Sequence, residues 1–463
     1  MFSKKIALAV LNEGLKTGAD FAELYIQDKL SNIISLSHKK VDSISSHLIY
    51  GAGVRLMKGN SYVYGYTSDL SEKSLLDLAS RLSASYSDKR LITVESLSLV
   101  KNPRKHKVKK AHNTLDIKSK IDYLKEGEKV IYDYSPLIVD AGCNLLENDE
   151  HVEIFNSKGK VVVDDRVRTR VMISSVAASE GKYETAYEAP GASVGLELLD
   201  TVDIKSLAKS CAKDAVDLLD APECPSGKMP VIIGNSFGGV LFHEACGHPL
   251  EGVAIAHNSS VFNGKKGQQI ASKIVTAIDD GTIENGWGSS NFDDEGNKTT
   301  KNVLIKDGIL INYMVDDYNG RRLDMPTTGS CRRESYKYVP TTRMTNTFIA
   351  NGKSNPEDII KATKFGLYCV SFKGGSVDPT TDKFNFTASK AYIIKDGKID
   401  HLVKAASLVG YGYEILPKID MVGNDCSRGQ GNCGASSGSV PADVGQPTIR
   451  VSEMTVGGRG ERL

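Results

Sequence analysis

The chain lacks any appreciable charge imbalance, any long apolar run and any cysteine framework, and each absence removes a class of explanation. Its 58 Lys and Arg against 57 Asp and Glu leave a formal net charge of +1. The molecule as a whole therefore offers no electrostatic pull toward nucleic acid or an anionic membrane. No apolar stretch approaches the roughly 20 residues that span a bilayer. At the N-terminus, "MFSKKIALAVLNEG" sets two lysines before an apolar run. Asn12 and Glu13 end that run too early for a signal-peptide core, so a cytoplasmic location is expected. The eight cysteines share no repeated spacing. They read as small buried hydrophobes in a reducing compartment, with one or two available as metal ligands.

What is present is an ordinary globular composition, 40% apolar and 25% charged over 463 residues, with 43 glycines that point to many turns and hairpins. This is long enough for two or three domains. The first part reads as helix, three strands, helix. "KKIALAVLNEGLKTG" has helical spacing and stops at Gly18. "FAELYIQDKLSNIISLSHKKVDSISS" alternates over two short runs, and "GAGVRLMKGNSYVYGYTSD" turns at Gly59-Asn60. "SEKSLLDLASRLSAS" returns to helix with Ser71 as its N-cap. The basic run "KNPRKHKVKKAH" at 101–112 has no interleaved aromatics, which favours a solvated linker over a nucleic-acid patch. Long antiparallel strands follow around a turn at Lys158-Gly159, then a helix, "DIKSLAKSCAKDAVDLLDA", that ends at Pro222. Two later hairpins each centre on an Asp-Gly turn. The fold class expected is α+β. An N-terminal α/β domain with antiparallel sheets spans 1–220, with a possible subdomain break near 101–115. A β-rich domain spans 221–463.

Chemistry concentrates in "MPVIIGNSFGGVLFHEACGHPLEG", read as strand, polar turn and helix, with Asn235 or Ser236 as cap and Pro249 near the end. His243 and His248 are one residue further apart than the two histidines of H-E-x-x-H. On an ideal helix, positions five apart diverge by roughly 140°, too far to share a tetrahedral metal. One inserted residue, a π-bulge, brings them back into line, and such bulges cluster at functional sites. Gly247 is expected to supply the backbone freedom for it. Glu244 is then the natural general base toward a metal-activated water. The bland alternative is two structural histidines flanking a glutamate.

A catalytic zinc needs a third protein ligand and an open position. Glu251 lies past the proline, and Cys246 should point away from a metal that the histidines share. His257 and His401 stand in polar loops without a supporting pattern. Cys433, in "GQGNCGASSGSVPADVGQP", is the most suggestive, because flanking glycines permit close approach and a thiolate suits zinc. Cys426 makes a C-x6-C pair with it, which a disulfide or structural site would equally explain. Spacing alone leaves these open.

Taken together, "FHEACGHPLEG", "GRRLDMPTTGSCRRESYKYVPTTRMTNTFI", "GNCG" followed by "VGQPTIRVSEMTVGG", and the N-terminal "GAGVRLMKGNSYVYGYTSD" resemble the TldD/PmbA family over nearly the whole chain. That family was first labelled as modulators of DNA gyrase and later understood as metalloproteases. The chain carries every element of the TldD-type, zinc-bearing branch. The resemblance implies one zinc per active subunit, held by His243, His248 and Cys433, with Glu244 as the catalytic glutamate. It further implies a β-rich C-terminal part that holds the metal. The site is expected to be enclosed and reached by unfolded peptides, in a homodimer or a heterodimer with a TldE/PmbA-type subunit. Ser330-Cys331 stands where the family pattern has Asn-Gly, outside the metal motifs, and is expected to change the local loop conformation and its peptide contacts. Arg332, Arg333 and Tyr336 are read as structural ion pairing in preference to peptide contacts.

The function expected is therefore a zinc metallopeptidase acting on unfolded or extended peptides. Its rivals are a metal-dependent small-molecule amidohydrolase and a non-catalytic regulatory protein with a structural zinc. Glu244 beside the first histidine argues against the last, since a structural site has no use for a base there.

Overall fold

The computed structural model describes residues 1–378 and 380–462. Residues 21–192 build one large, mostly antiparallel sheet in which the strands Ser61–Thr67, Lys40–Lys58, Phe21–Ser37, Ile138–Asn156 and Lys160–Ser179 lie side by side. Its central strands are long because each finds a hydrogen-bonding neighbour along its whole length, as in the ladder from Glu23↔Asn156 to Ser37↔Gly142.

The first hairpin corrects the expectation of two short runs and a third strand. Phe21–Ser37 and Lys40–Lys58 are two unbroken strands that turn at His38 and Lys39, both with positive φ (52° and 62°). The polar stretch around Ser43–Ser46 stays in the ladder through backbone pairing with Ile33–Ser35, although its side chains meet no core. Gly59-Asn60 does turn the chain into the third strand. Ser71 caps the helix Glu72–Ser83 by accepting from the Ser74 N–H.

Along Phe21–Ser37 the even-numbered residues Leu24, Ile26, Ile34 and Leu36 face helices. Lys4–Gly14 and Glu72–Ser83 cover one end of that face, and Ile117–Tyr134 with Ile204–Asp220 cover the other. The helix Ile117–Tyr134 had no sequence reading. The opposite face carries Tyr25, Val152, Ile154 and Val162, which pack on Phe292 and Tyr336 from the C-terminal half. Buried ion pairs join the halves beside them: Arg55 meets Glu23 at 2.9 Å and Glu295 at 2.8 Å, and Arg166 meets Asp294 at 2.7 Å.

The run 101–112 is an extended linker pinned by its backbone. Lys105 N donates to Asn291 Oδ1, and Lys109 N and Lys110 N donate to the Glu197 carboxylate. The C-terminal half holds two β-layers. A six-stranded sheet runs from Ile309–Leu310 to an outermost strand, Ser427–Ala435. A five-stranded ring closes through Phe365–Asp378, Gly227–Ile233, Ile449–Gly457, Ser407–Tyr411 and Lys383–Lys395. The hairpins at Asp307-Gly308 and Asp396-Gly397 have positive φ at both residues, as primed turns require. Among the described residues no helix is long and apolar enough to cross a membrane.

Candidate metal centre

The strand Gly227–Ile233 delivers the chain into a helix that is irregular along its whole length. It opens as a 3-10 turn at Ser236–Gly239, is α-helical at Val240–Phe242, widens to a π-turn over His243–Gly247 and closes as a 3-10 turn at His248–Leu250. The π-turn supplies the extra residue that the histidine spacing demands, so both imidazoles emerge on one side. Their ring centroids are 5.1 Å apart.

Two local expectations change. Asn235 occupies the cap position but makes no side-chain cap bond; its Nδ2 donates to Asp425 O at 2.9 Å. Gly247 sits in ordinary helical geometry (φ −58°, ψ −57°), so backbone freedom is not why glycine stands there. A Cβ at that position would lie 2.1 Å from Met344 Sδ. Close packing is the reason.

Cys433 arrives from the outermost strand Ser427–Ala435, held in register opposite Val440. Its Sγ lies 3.2 Å from His243 Nε2 and 3.2 Å from His248 Nε2. Ligand bonds of about 2.3 Å to sulfur and 2.0–2.1 Å to nitrogen at a tetrahedral angle place S and N about 3.6 Å apart. The cradle therefore fits a zinc ion after a shift of a few tenths of an ångström. The three donor atoms all lie within 4.8 Å of one another, and they form the one such cluster among the described residues. Burial alone would push the Cys433 thiol up, but the two imidazoles outweigh it and pull its pKa down to about 3. It is thus poised as thiolate, the form that binds metal.

Glu251, weighed above as a ligand, stands behind the histidine. Its Oε2 is 3.2 Å from His248 Nδ1, which leaves Nε2 aimed at Cys433. A carboxylate on the far nitrogen fixes tautomer and ring orientation in metal-binding histidines. Glu244 Oε2 lies 3.9 Å from His248 Nε2. Burial raises the Glu244 pKa, with the two imidazoles opposing. Glu244, His248, Glu251 and Cys433 line a cleft of about 700 Å3 whose far wall includes Gly375–Val377. In the single chain this cleft opens to solvent on one side.

The remaining candidates fall away from the cluster. Cys246 is fully buried in the core, as its position between the histidines implied. His257 lies at the cleft rim, 2.9 Å from Arg322 Nη1, and His401 pairs with Asp400. Neither Cys426 nor Cys433 is in a disulfide. Ser330 and Cys331 are fully buried, away from the cleft, so they reach no peptide there. Arg333 pairs with Glu23 at 2.6 Å and stacks over Tyr25. Arg332 instead donates to Met344 O at 2.8 Å.

Paired imidazoles on a bent helix, a facing thiolate and a carboxylate beside them form a candidate metal site, and the chain is similar over nearly its whole length to known metalloproteases. Residues 226–458 match the model of the PmbA/TldA metallopeptidase C-terminal domain, 110–219 its central domain and 22–85 its first domain. The chain is 37% identical to a metalloprotease TldD homolog of Haemophilus influenzae over 95% of this chain and 93% of that one. It is 31% identical to a metalloprotease of Methanocaldococcus jannaschii over 95% and 97% of the two chains. It is 24% identical to a zinc metalloprotease TldD homolog of Saccharolobus solfataricus over 95% and 97%. Among solved structures, TldE from Thermococcus kodakarensis superposes with a TM-score of 0.78 at 18% identity, covering 98% of this chain and 100% of that one, which speaks for the fold alone. The chain belongs to the PmbA/TldD metallopeptidase family.

Proposed function

We propose that the protein is a zinc-dependent metallopeptidase that hydrolyses unfolded or extended peptides, with residues 221–463 as its catalytic domain. The carrying observation is the convergence of His243 Nε2 and His248 Nε2 on the Cys433 thiolate, with the Glu244 carboxylate beside them at the cleft. His243, His248 and Cys433 would hold the ion. An ion held there would supply Lewis acidity toward a water and the scissile carbonyl. Glu244 takes the proton of the attacking water and delivers it to the leaving amine. Glu251 keeps His248 oriented.

The outer edge of Ser427–Ala435 pairs with no further strand among the described residues. Arg170 and Trp287 donate to the carbonyls of Gln430 and Gly431, whereas Asn432–Ala435 border the cleft. An extended peptide would add to that stretch as a strand, recognised by its backbone. This favours peptides over small amides. Three protein donors with a free carboxylate beside them favour catalysis over a structural zinc site. A second subunit of the same fold, either a copy or a TldE/PmbA-type chain, would close the open side in the cytoplasm. Residues 40–50 leave one strand edge without a neighbour among the described residues and expose Ile44 and Leu48 beside their polar residues, which supports such pairing.

Zinc analysis and cleavage of unstructured peptides by the purified protein and by Glu244→Gln test this reading. The variant is expected to keep its zinc and lose about 10²–10⁴-fold in rate. Undiminished cleavage by the variant would refute the assignment. A peptide-bound structure of the same variant without main-chain bonds to Asn432–Ala435 would refute the strand pairing.

A further inference from the structure

Two of the three donors come from segments 185 residues apart, and one side chain touches the supports of both. Arg343 follows the short strand Thr341–Thr342 and is fully buried. Its Nη2 donates to Cys433 O, and its Nη1 donates to Gly438 O at 2.8 Å and Ser437 Oγ at 3.0 Å. The guanidinium thereby clamps both sides of the hairpin whose first strand carries Cys433. Its Nε faces Glu251 Oε1 at 4.0 Å. Among the described residues neither atom has a hydrogen-bond partner, and both are buried. A buried guanidinium nitrogen and a buried carboxylate oxygen facing each other unpartnered are costly unless they approach or share a water. The other oxygen of that carboxylate is the one that holds His248 Nδ1.

We infer that Arg343 is the positioning residue of the metal centre, setting the distance between its strand half and its helix half. Through the Cys433 carbonyl it fixes where the thiolate sits. Through Glu251 it fixes the ring that faces that thiolate. Its planar fork makes three bonds on one side and offers Nε on the other, which a lysine ammonium does not reproduce. The inference rests on the metal-site reading but not on peptide hydrolysis.

Metal binding without any peptide separates the two. Zinc affinity of the full chain is measured by competition with a chromogenic chelator, and the cobalt-loaded protein is examined for its thiolate-to-cobalt charge-transfer band. Arg343→Gln is expected to weaken zinc binding by about 10- to 100-fold, the range for residues that support metal ligands, and to shift or weaken the cobalt band. Arg343→Lys should recover part of the affinity. Glu251→Gln should weaken binding too, and the double variant should lose less than the product of the two single losses. Arg55→Lys, equally buried in the N-terminal sheet, controls for general destabilisation: it should lower the melting temperature and leave zinc affinity unchanged. Wild-type affinity and an unaltered cobalt band in a folded Arg343→Gln protein would overturn the inference. So would an equal loss of affinity in Arg55→Lys. A wild-type protein that binds zinc but cleaves no peptide would overturn the proposed function and leave this inference standing.

Discussion

Gly247→Ala tests the packing of the bent helix directly. On helix propensity alone the change should stabilise, because glycine within a helix costs roughly 0.5–1 kcal/mol relative to alanine. The structure predicts the opposite sign. The added methyl would stand 2.1 Å from Met344 Sδ and 3.0 Å from its Cε, with Met344 itself fully buried. Carbon atoms in good contact lie about 3.5–4.0 Å apart, so Met344 or the helix must move by well over an ångström. Overpacking of this kind costs about 1–3 kcal/mol, which at least cancels the propensity gain and leaves a net loss of up to about 2.5 kcal/mol. The displaced turn carries His243 and His248, so zinc affinity should fall with stability. Melting of the metal-free variant and chelator competition read the two effects. Met344→Ala alone should cost about 2–5 kcal/mol by opening a cavity, yet the double variant should cost less than the sum because the new methyl occupies the vacated space. A Gly247→Ala protein more stable than wild type, or strict additivity with Met344→Ala, would show that glycine is there for another reason.

Asp382 accepts from Tyr413 N at 2.6 Å, yet burial pushes its pKa up from 3.8 to about 7. The folded state therefore binds this proton more tightly than the unfolded state, and its contribution to stability is lost as pH rises from about 4 through about 7. Asp382→Asn should raise the melting temperature relative to wild type at pH 8, with the advantage shrinking toward pH 4; a pH-independent difference would refute the assignment. If the proposed subunit pairing uses the strand edge at residues 40–50, Ile44→Lys combined with Leu48→Lys should give a monomer in sedimentation where wild type gives a dimer, with zinc content intact. An unchanged dimer would exclude that strand edge, and a monomeric wild type would refute the pairing.

Much of the site was legible because its parts obey local rules. Helical geometry forbids five-residue spacing on a shared metal, so "HEACGH" by itself demanded a π-turn, and one runs over His243–Gly247. Turn chemistry placed the hairpins at Lys158-Gly159, Asp307-Gly308 and Asp396-Gly397, and hydroxyl capping placed Ser71. The length of Lys40–Lys58 was not legible, because serines break the alternation around Ser43–Ser46 and the side chains there meet no core, so the stretch persists through its neighbour's backbone. Ile117–Tyr134 escaped because charged and aromatic residues dilute its apolar stripe, and its buried Lys120 makes sense only beside Glu147 at 2.6 Å.

By itself the sequence determined the helix distortion, the paired imidazoles and the glutamate beside them, since all three follow from the order of residues within a few turns. It left the third donor open, and only the family resemblance settled on Cys433. Tertiary structure alone decided what meets that helix. It brought Cys433 to 3.2 Å from both imidazoles, set Glu251 behind His248 instead of among the donors, and made Gly247 a matter of room for Met344. Those are distances between segments remote in the chain. Local propensity carries no information about them, and only the packing of the ring, the sheet and the bent helix sets their values.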